Sequence, residues 1–121
     1  TSRCCPPHSP SPEETQKIIA DFKIGLLVHF GGDVRVTKTI SKIEQHIFLK
    51  NDHKAISFGA GPCKLCKECS ISECKFPDIA RPSMEACGID VYTTARANGF
   101  PINVLTKKSD EENCYGLILI E

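Results

Sequence analysis

Four cysteines lie close together in the middle of the chain: Cys63, Cys66, Cys69 and Cys74. Their spacing is C-x2-C-x2-C-x4-C, with Pro77 close behind. Bacterial ferredoxins hold iron–sulfur clusters with a very similar run, C-x2-C-x2-C-x3-C-P. Thiolates are soft donors that suit iron–sulfur clusters, zinc and copper(I). The spacing therefore predicts a metal or cluster site in a cysteine-rich loop spanning residues 59–82.

The spacing favours a [4Fe–4S] cluster over a single metal ion. A zinc site normally combines two cysteine pairs from separate segments. In this chain a third cysteine follows the first C-x2-C step after only two more residues. We expect Cys63, Cys66 and Cys69 to surround one centre from three sides, which suits a cube of iron and sulfur. Zinc is the alternative cofactor.

The fourth ligand is a separate question. Cys74 is the nearest candidate, and with it the four cysteines complete one site. In two-cluster ferredoxins, however, the cysteine before the proline binds the other cluster. If Cys74 points away, the substitutes are Cys4 and Cys5 near the start of the chain. Of these two, Cys5 is the stronger candidate for a metal ligand because it precedes two prolines that hold it in place.

A disulfide framework is the other possible role of the cysteines, since there are eight of them in 121 residues. Cysteines separated by only two residues cannot easily pair with one another, however, and the sequence has no secretory leader. We therefore expect reduced thiols in the cytoplasm. Cys87 and Cys114 are interpreted as small buried hydrophobic residues.

Composition limits the possible partners. Fifteen basic and fifteen acidic residues cancel, so there is no electrostatic reason to expect nucleic acid. No apolar run approaches the roughly 18 residues that cross a bilayer, so no membrane association is expected. Neither Gly-x-Ser-x-Gly nor His-Glu-x-x-His occurs, which argues against an enzyme. The expected role is electron transfer or redox sensing, with a redox partner protein or an anaerobic enzyme that the chain serves as accessory.

The elements before the loop are predicted from periodicity and capping signals. Residues 1–11 form an extended arm, and a helix begins after Ser11, since Pro12 suits the first helical position and Glu14 completes a capping box with Ser11. An apolar run over residues 24–30 predicts a buried strand. Apolar residues then recur at helical spacing, which predicts an amphipathic helix ending near Asn51. The apolar face of that helix consists of Val36, Ile40, Ile43, Ile47 and Phe48.

A strand over residues 55–58 delivers the chain to the loop. Strand, helix and strand in this order imply a crossover between two parallel strands. After the loop we expect a short helix from Ser83 to Gly88, a helix over 91–98 capped by Asp90, and a hairpin of strands 102–105 and 117–120. Residues 1–121 are thus predicted to form a single α/β metal-binding domain. Its small mixed sheet has about four strands, with helices packed on it.

An ordered set of motifs also resembles a known family. The motifs are Cys5-Pro-Pro, Ser-Pro-Glu-Glu-Thr at 11–15, Gly61-Pro-Cys63-x-x-Cys66-x-x-Cys69 with Cys74 and Pro77, Arg81-Pro-Ser-Met-Glu-Ala86, and Gly88-Ile-Asp-Val91. Together they resemble the domain of unknown function 2284 family, predicted metal-binding proteins of bacteria and archaea, many of them anaerobes. The resemblance implies metal binding through the cysteine-rich loop and implies no particular reaction.

Overall fold

The computed structural model describes residues 4–31, 36–51, 54–60, 66, 68–69, 72–77, 79–99 and 113–121. The elements are, in chain order, α1 (Pro12–Ala20), β1 (Ile24–Gly31), α2 (Val36–Asn51), β2 (Ala55–Phe58), a 3₁₀ helix (Glu85–Cys87), α3 (Val91–Ala97) and β3 (Asn113–Ile120). No helix within these ranges is both long and apolar enough to cross a bilayer.

The three strands form one sheet in the order β1-β3-β2. The central strand β3 pairs antiparallel with both neighbours, so that Leu117 lies opposite Leu27 of β1 and Phe58 of β2. Strands β1 and β2 therefore run in the same direction, as the β1–α2–β2 order predicts. They do not pair with each other, because β3 lies between them in a split βαβ arrangement.

Both faces of the sheet are covered by helices. On one face, Tyr115 and Leu119 of β3 join Phe58 and a cluster from the C-terminal half of the chain. The other members of this buried cluster are Met84, Cys87, Val91 and Ala95. On the opposite face, α2 packs on β2 and β3. Its Ile40 is fully buried and lies so close to Gly116 that a Cβ there would come within 2.9 Å of Ile40 Cδ1.

The predicted helix boundaries are confirmed by their caps. The Ser11 hydroxyl accepts a hydrogen bond from Glu14 N, and the Glu14 carboxylate accepts one from Ser11 N, so the capping box of α1 is complete. Asp90 caps α3 by accepting from Thr93 N, and this hydrogen bond holds the pKa of Asp90 below its usual value. Gly88, with φ of 86°, ends the 3₁₀ helix in a left-handed conformation. These signals are local in sequence, which is why the sequence predicts them well.

Three predictions about the sheet need correction. The described residues contain three strands, not four, and all their pairings are antiparallel, so the sheet seen is not mixed. Residues 102–105, and the turn expected before 113, lie outside the described residues. The prediction of a buried β1 is wrong, since Ile24 is 57% and Leu26 43% exposed. An apolar run predicts a strand but not which other elements cover it. Helix α2 packs on β2 and β3, and β1 lies on the far side of β3 from β2.

The expected apolar face of α2 is also only partly buried. Val36 and Ile40 are buried, but Phe48 is 55% exposed. Helix α2 has 16 residues, whereas β2, which it packs against, has only four. Helical periodicity predicts which residues share a face, not how much of that face a neighbouring element reaches.

Candidate metal centre

The described cysteines of the loop carry accessible thiols. Cys66, Cys69 and Cys74 are half-buried and are not in disulfides. Cys63 lies outside the described residues. Within the described ranges, no three cysteine, histidine, aspartate or glutamate side chains are grouped so that they could hold a metal ion. The structure therefore describes Cys66, Cys69 and Cys74 individually but does not group the three at one site. The set of four ligands stays a prediction.

Cys74 opens onto a cavity of about 330 Å³. The walls of this cavity come from four parts of the chain: the N-terminal arm, α1, β2 and the segment after Cys74. The residues that line it are Cys4, His8, Ser9, Pro10, Ile18, Ile56, Ser57, Phe58, Cys74, Pro77, Ala80 and Pro82. Its described walls are mostly apolar, with two thiols and one imidazole among them. We call it the thiol cavity.

A buried ion pair holds the wall that follows Cys74. Arg81 meets Glu44 of α2 with Nη2 at 2.7 Å from Oε2 and Nε at 3.1 Å from Oε1, a two-point contact. The same Glu44 Oε1 accepts a hydrogen bond from Ser57 of β2 at 2.9 Å. Such two-point, charge-assisted bonds fix both partners in orientation as well as in distance. The pair therefore joins α2 and β2 to the segment that carries Cys74.

Arg81 also holds the backbone of that segment directly. Its Nη1 donates to the carbonyl oxygens of Pro77 at 3.1 Å and Ala80 at 2.8 Å. Pro77 lies three residues after Cys74, and both Pro77 and Ala80 line the thiol cavity. The Arg81 guanidinium is thus engaged both by Glu44 and by these two carbonyls.

Gly59 attaches the same segment to the end of β2. Gly59 N donates to Pro82 O at 2.8 Å, and Gly59 forms an isolated bridge with Ser83. A Cβ at this position would overlap the side chain of Thr37 on α2. The absence of a side chain at Gly59 therefore lets the strand end pass close to α2.

The N-terminal arm is fastened to the domain and does not simply extend from it. Cys5 O accepts hydrogen bonds from His8 N at 2.8 Å and Ser9 N at 3.1 Å, which closes a turn. Ser9 is buried, and its hydroxyl donates to Ala86 O at 2.9 Å. These contacts place Cys4 and His8 in the wall of the thiol cavity.

Cys87 is a cysteine of a different kind. It is 0% exposed and belongs to the buried cluster, as its interpretation as a small hydrophobic residue predicts. Burial raises the pKa of the Cys87 thiol, and the interaction with the Thr15 hydroxyl opposes this only in part. Thr15 is itself buried, and its hydroxyl has no conventional hydrogen-bond partner among the described residues. A neutral thiol in this position is a packing residue, not a ligand.

His29 also has a structural role. It lies opposite Tyr115 in the sheet register, and the two rings stack with centroids 4.7 Å apart. Its Nε2 forms a 2.7 Å hydrogen bond with Asn113 Oδ1. Both contacts join β1 to β3, and neither His29 nor Tyr115 is among the described residues that line the thiol cavity.

Sequence reasoning underestimated two residues. Cys4 was ranked below Cys5, yet Cys4 lines the thiol cavity with Cys74, and Cys5 is not among the described lining residues. His8 lines it too, although no metal-binding spacing of histidines marks it in the sequence. No local signal could have distinguished them, because their position depends on how the turn at Cys5 is attached to residues near position 86.

The donors present fit a soft metal. Thiolates and imidazole bind zinc, copper(I) and iron–sulfur centres and disfavour magnesium or calcium, which take oxygen ligands. Cys66, Cys69 and Cys74, the loop cysteines that the structure describes, are half-buried, so a metal could reach them from solvent.

Comparison with known proteins agrees with this donor set. No curated protein and no solved structure matches the chain. A family model described as predicted metal-binding protein, domain of unknown function 2284, matches residues 1–120. The chain belongs to this family of predicted metal-binding proteins.

Proposed function

We propose that the protein holds a [4Fe–4S] cluster in its cysteine-rich loop and uses it for electron transfer or redox sensing in the cytoplasm. The ligands are Cys63, Cys66, Cys69 and Cys74. The observation that carries the proposal is the C-x2-C-x2-C-x4-C spacing in a chain that belongs to a metal-binding family. The partner is a redox protein or an anaerobic enzyme that the chain serves as accessory.

The surroundings of Cys74 support this proposal. A [4Fe–4S] cluster accepts or gives one electron, and its potential depends on solvent access and on hydrogen bonds near its sulfurs. The thiol cavity beside Cys74 has mostly apolar described walls, so few polar groups surround this ligand. The Arg81–Glu44 pair fixes the backbone beyond Cys74, so that this ligand needs little ordering when a cluster binds.

Elemental analysis tests the proposal. The full chain is purified without oxygen, and iron, acid-labile sulfide and zinc are measured per chain. We expect about four irons and four sulfides, as one [4Fe–4S] cluster requires. An electron paramagnetic resonance signal should appear or disappear on reduction. Stoichiometric zinc without iron or sulfide would overturn the proposal.

Two serine variants provide the matched comparison. Cys69→Ser removes a proposed ligand and should lower the iron content. Cys87→Ser alters a cysteine in the buried cluster and should leave the iron content per folded chain unchanged. Equal loss in both variants would show that the iron content reports folding and not ligation.

A structural zinc site in an interaction module is the second candidate function. One observation favours it: Cys4 and His8, from a separate segment, line the same cavity as Cys74. Zinc sites combine cysteine and histidine from separate segments in this way. This alternative predicts a colourless protein that unfolds when a chelator removes the metal and that binds a macromolecular partner.

A further inference from the structure

We propose that the thiol cavity is a binding site for a small, uncharged, largely apolar molecule, with room for about two fused aromatic rings. The inference rests on the walls of the cavity alone, so it does not depend on which metal the cysteine-rich loop binds. Every residue named for these walls lies within the described part of the chain.

The volume of the cavity sets the size of the ligand. It measures about 330 Å³, close to the lower end of the roughly 300–1,000 Å³ that is typical of small-molecule pockets. An apolar cavity of about 150 Å³ engineered into another protein holds one benzene molecule. The thiol cavity therefore suits a ligand of about two fused rings.

The described walls offer little to a charged ligand. No Asp, Glu, Lys or Arg is among the described lining residues. The hydroxyl protons of Ser9 and Ser57 are already donated, to Ala86 O and to Glu44 Oε1. The other polar side chains named there are the imidazole of His8 and two thiols, none of which carries a fixed charge. A charged ligand would lose its hydration without gaining an ion pair from these walls, so an uncharged ligand is favoured.

Rigid apolar groups make up much of the described wall. Three prolines, Pro10, Pro77 and Pro82, line the cavity together with Ile18 and Phe58. A proline has no backbone N–H, so these three positions present no main-chain donor to water. Water that is poorly held at such a wall is displaced by an apolar ligand with a gain in affinity.

Hydrogen bonds hold the walls in place before a ligand binds. Arg81 donates to the carbonyl oxygens of Pro77 and Ala80, which lie on the loop side of the cavity. On the arm side, the buried Ser9 donates to Ala86 O. A preorganised site loses less conformational freedom on binding, so more of the contact energy appears as affinity.

Indole is a suitable probe because it has two fused rings and no charge. The chain contains no tryptophan, so fluorescence excited beyond the tyrosine band comes from the probe alone. The full chain is purified without oxygen and added to indole, and the fluorescence anisotropy is measured. We expect a saturable rise with a dissociation constant at or below about 1 mM. Anisotropy that does not saturate would overturn the inference.

Indole-5-carboxylate tests the requirement for an uncharged ligand. It has the same two rings and adds one negative charge at neutral pH. We expect it to compete with indole at least about tenfold less well than unlabelled indole analogues without charge. Competition as strong as that of the uncharged analogues would overturn the inference.

Ile18 and Ile19 provide a matched pair of positions on α1. Ile18 lines the cavity, whereas Ile19 is 40% exposed and is not among the described lining residues. Ile18→Phe should occupy part of the cavity and weaken indole binding at least about tenfold, while Ile19→Phe should bind indole as the wild type does. Circular dichroism checks that both variants are folded. Equal affinity in the two folded variants would overturn the inference.

Alkylation of the wild-type protein gives a readout that needs no variant. Iodoacetamide is added with and without saturating indole, and the labelled cysteines are identified by mass spectrometry. Cys4 lines the cavity and Cys5 is not among the described lining residues, and neither is a ligand of the proposed cluster. We expect indole to slow the labelling of Cys4 and to leave that of Cys5 unchanged. Labelling of Cys4 at the same rate with and without indole would overturn the inference, even if Ile18→Phe does not fold.

This inference and the proposed cluster fail in different ways. Protein that contains iron and sulfide but binds no indole supports the cluster and overturns the inference. Protein that contains zinc without iron or sulfide, and in which indole protects Cys4, overturns the cluster and supports the inference.

Discussion

Two cysteines close in sequence, Cys74 and Cys87, occupy regions with opposite physical properties. Cys87 is fully enclosed between the sheet and the C-terminal helices, among residues such as Met84 and Tyr115. Cys74 is half-buried at the edge of the thiol cavity, on a segment held by an ion pair. Solvation separates them: burial keeps the Cys87 thiol neutral, whereas Cys74 remains accessible to a metal.

The difference shows how a cysteine-rich chain assigns roles to its thiols. The region around Cys87 is held by apolar packing, which tolerates a thiol as a small hydrophobic residue. The region around Cys74 is held by directed polar contacts, Arg81 with Glu44 and with two backbone carbonyls. Packing stabilises without specifying direction, while directed contacts can orient a ligand. The following variants test that contrast.

The largest effect is expected from Arg81→Met. It leaves the Glu44 carboxylate buried without its cation, and the side chains of Arg81 and Glu44 are only 17% and 11% exposed. Breaking a fully buried pair costs about 3–5 kcal/mol, and with this residual exposure we expect about 2–3 kcal/mol. Chemical denaturation of the metal-free protein measures the loss, and the metal affinity should fall as well.

The double variant Glu44→Leu with Arg81→Met separates the two effects. Replacing both partners by apolar residues should recover much of the stability. It should not restore metal affinity, because Pro77 and Ala80 still lack their donor. Recovery of both properties would show that the pair stabilises the fold without positioning Cys74.

A smaller effect is expected when serine replaces Cys87 or Cys74. The first variant should mainly lower stability, and the second should mainly lower metal affinity. Cys87→Ser buries a hydroxyl in the apolar cluster and should cost about 1–3 kcal/mol when that hydroxyl finds no partner. Cys74→Ser should change the stability of the metal-free protein by less than about 0.5 kcal/mol, because Cys74 is half-buried and lies outside the buried cluster. The loss of metal affinity should be larger for Cys74→Ser than for Cys87→Ser. If Cys74→Ser destabilises the metal-free protein as much as Cys87→Ser does, the contrast is wrong.

The smallest effect is a dependence of stability on pH that comes from Cys87. The pKa of this thiol is raised in the folded state, so above pH of about 8.5 the unfolded chain loses this proton first. The free energy of unfolding should therefore fall as pH rises, by no more than about 1.4 kcal/mol per pH unit for one proton. Below that range the contribution is fully present.

Cys87→Ala is the control, measured without metal under reducing conditions. The variant leaves the other ionisable groups in place and should lose the part of the pH slope that Cys87 causes. An identical slope in wild type and variant would contradict the raised pKa.

The sequence predicted those parts of the fold that depend on neighbouring residues. The capping box of Ser11 and Glu14, the Asp90 cap and the Gly88 stop each involve groups within three residues, and all are confirmed. The exposure of β1 and of Phe48 was not predicted. Exposure depends on which other element reaches a surface, and an apolar pattern is the same whether its face is covered or not.

The sequence by itself determined that the chain belongs to a family of predicted metal-binding proteins and which cysteines lie close together along the chain, because that information is carried by spacing. The tertiary structure decided the rest. It placed β3 between β1 and β2, joined Arg81 to Glu44, and put Cys4 rather than Cys5 at the cavity of Cys74. These contacts connect residues tens of positions apart, and they form only when packing of the whole domain brings their segments together.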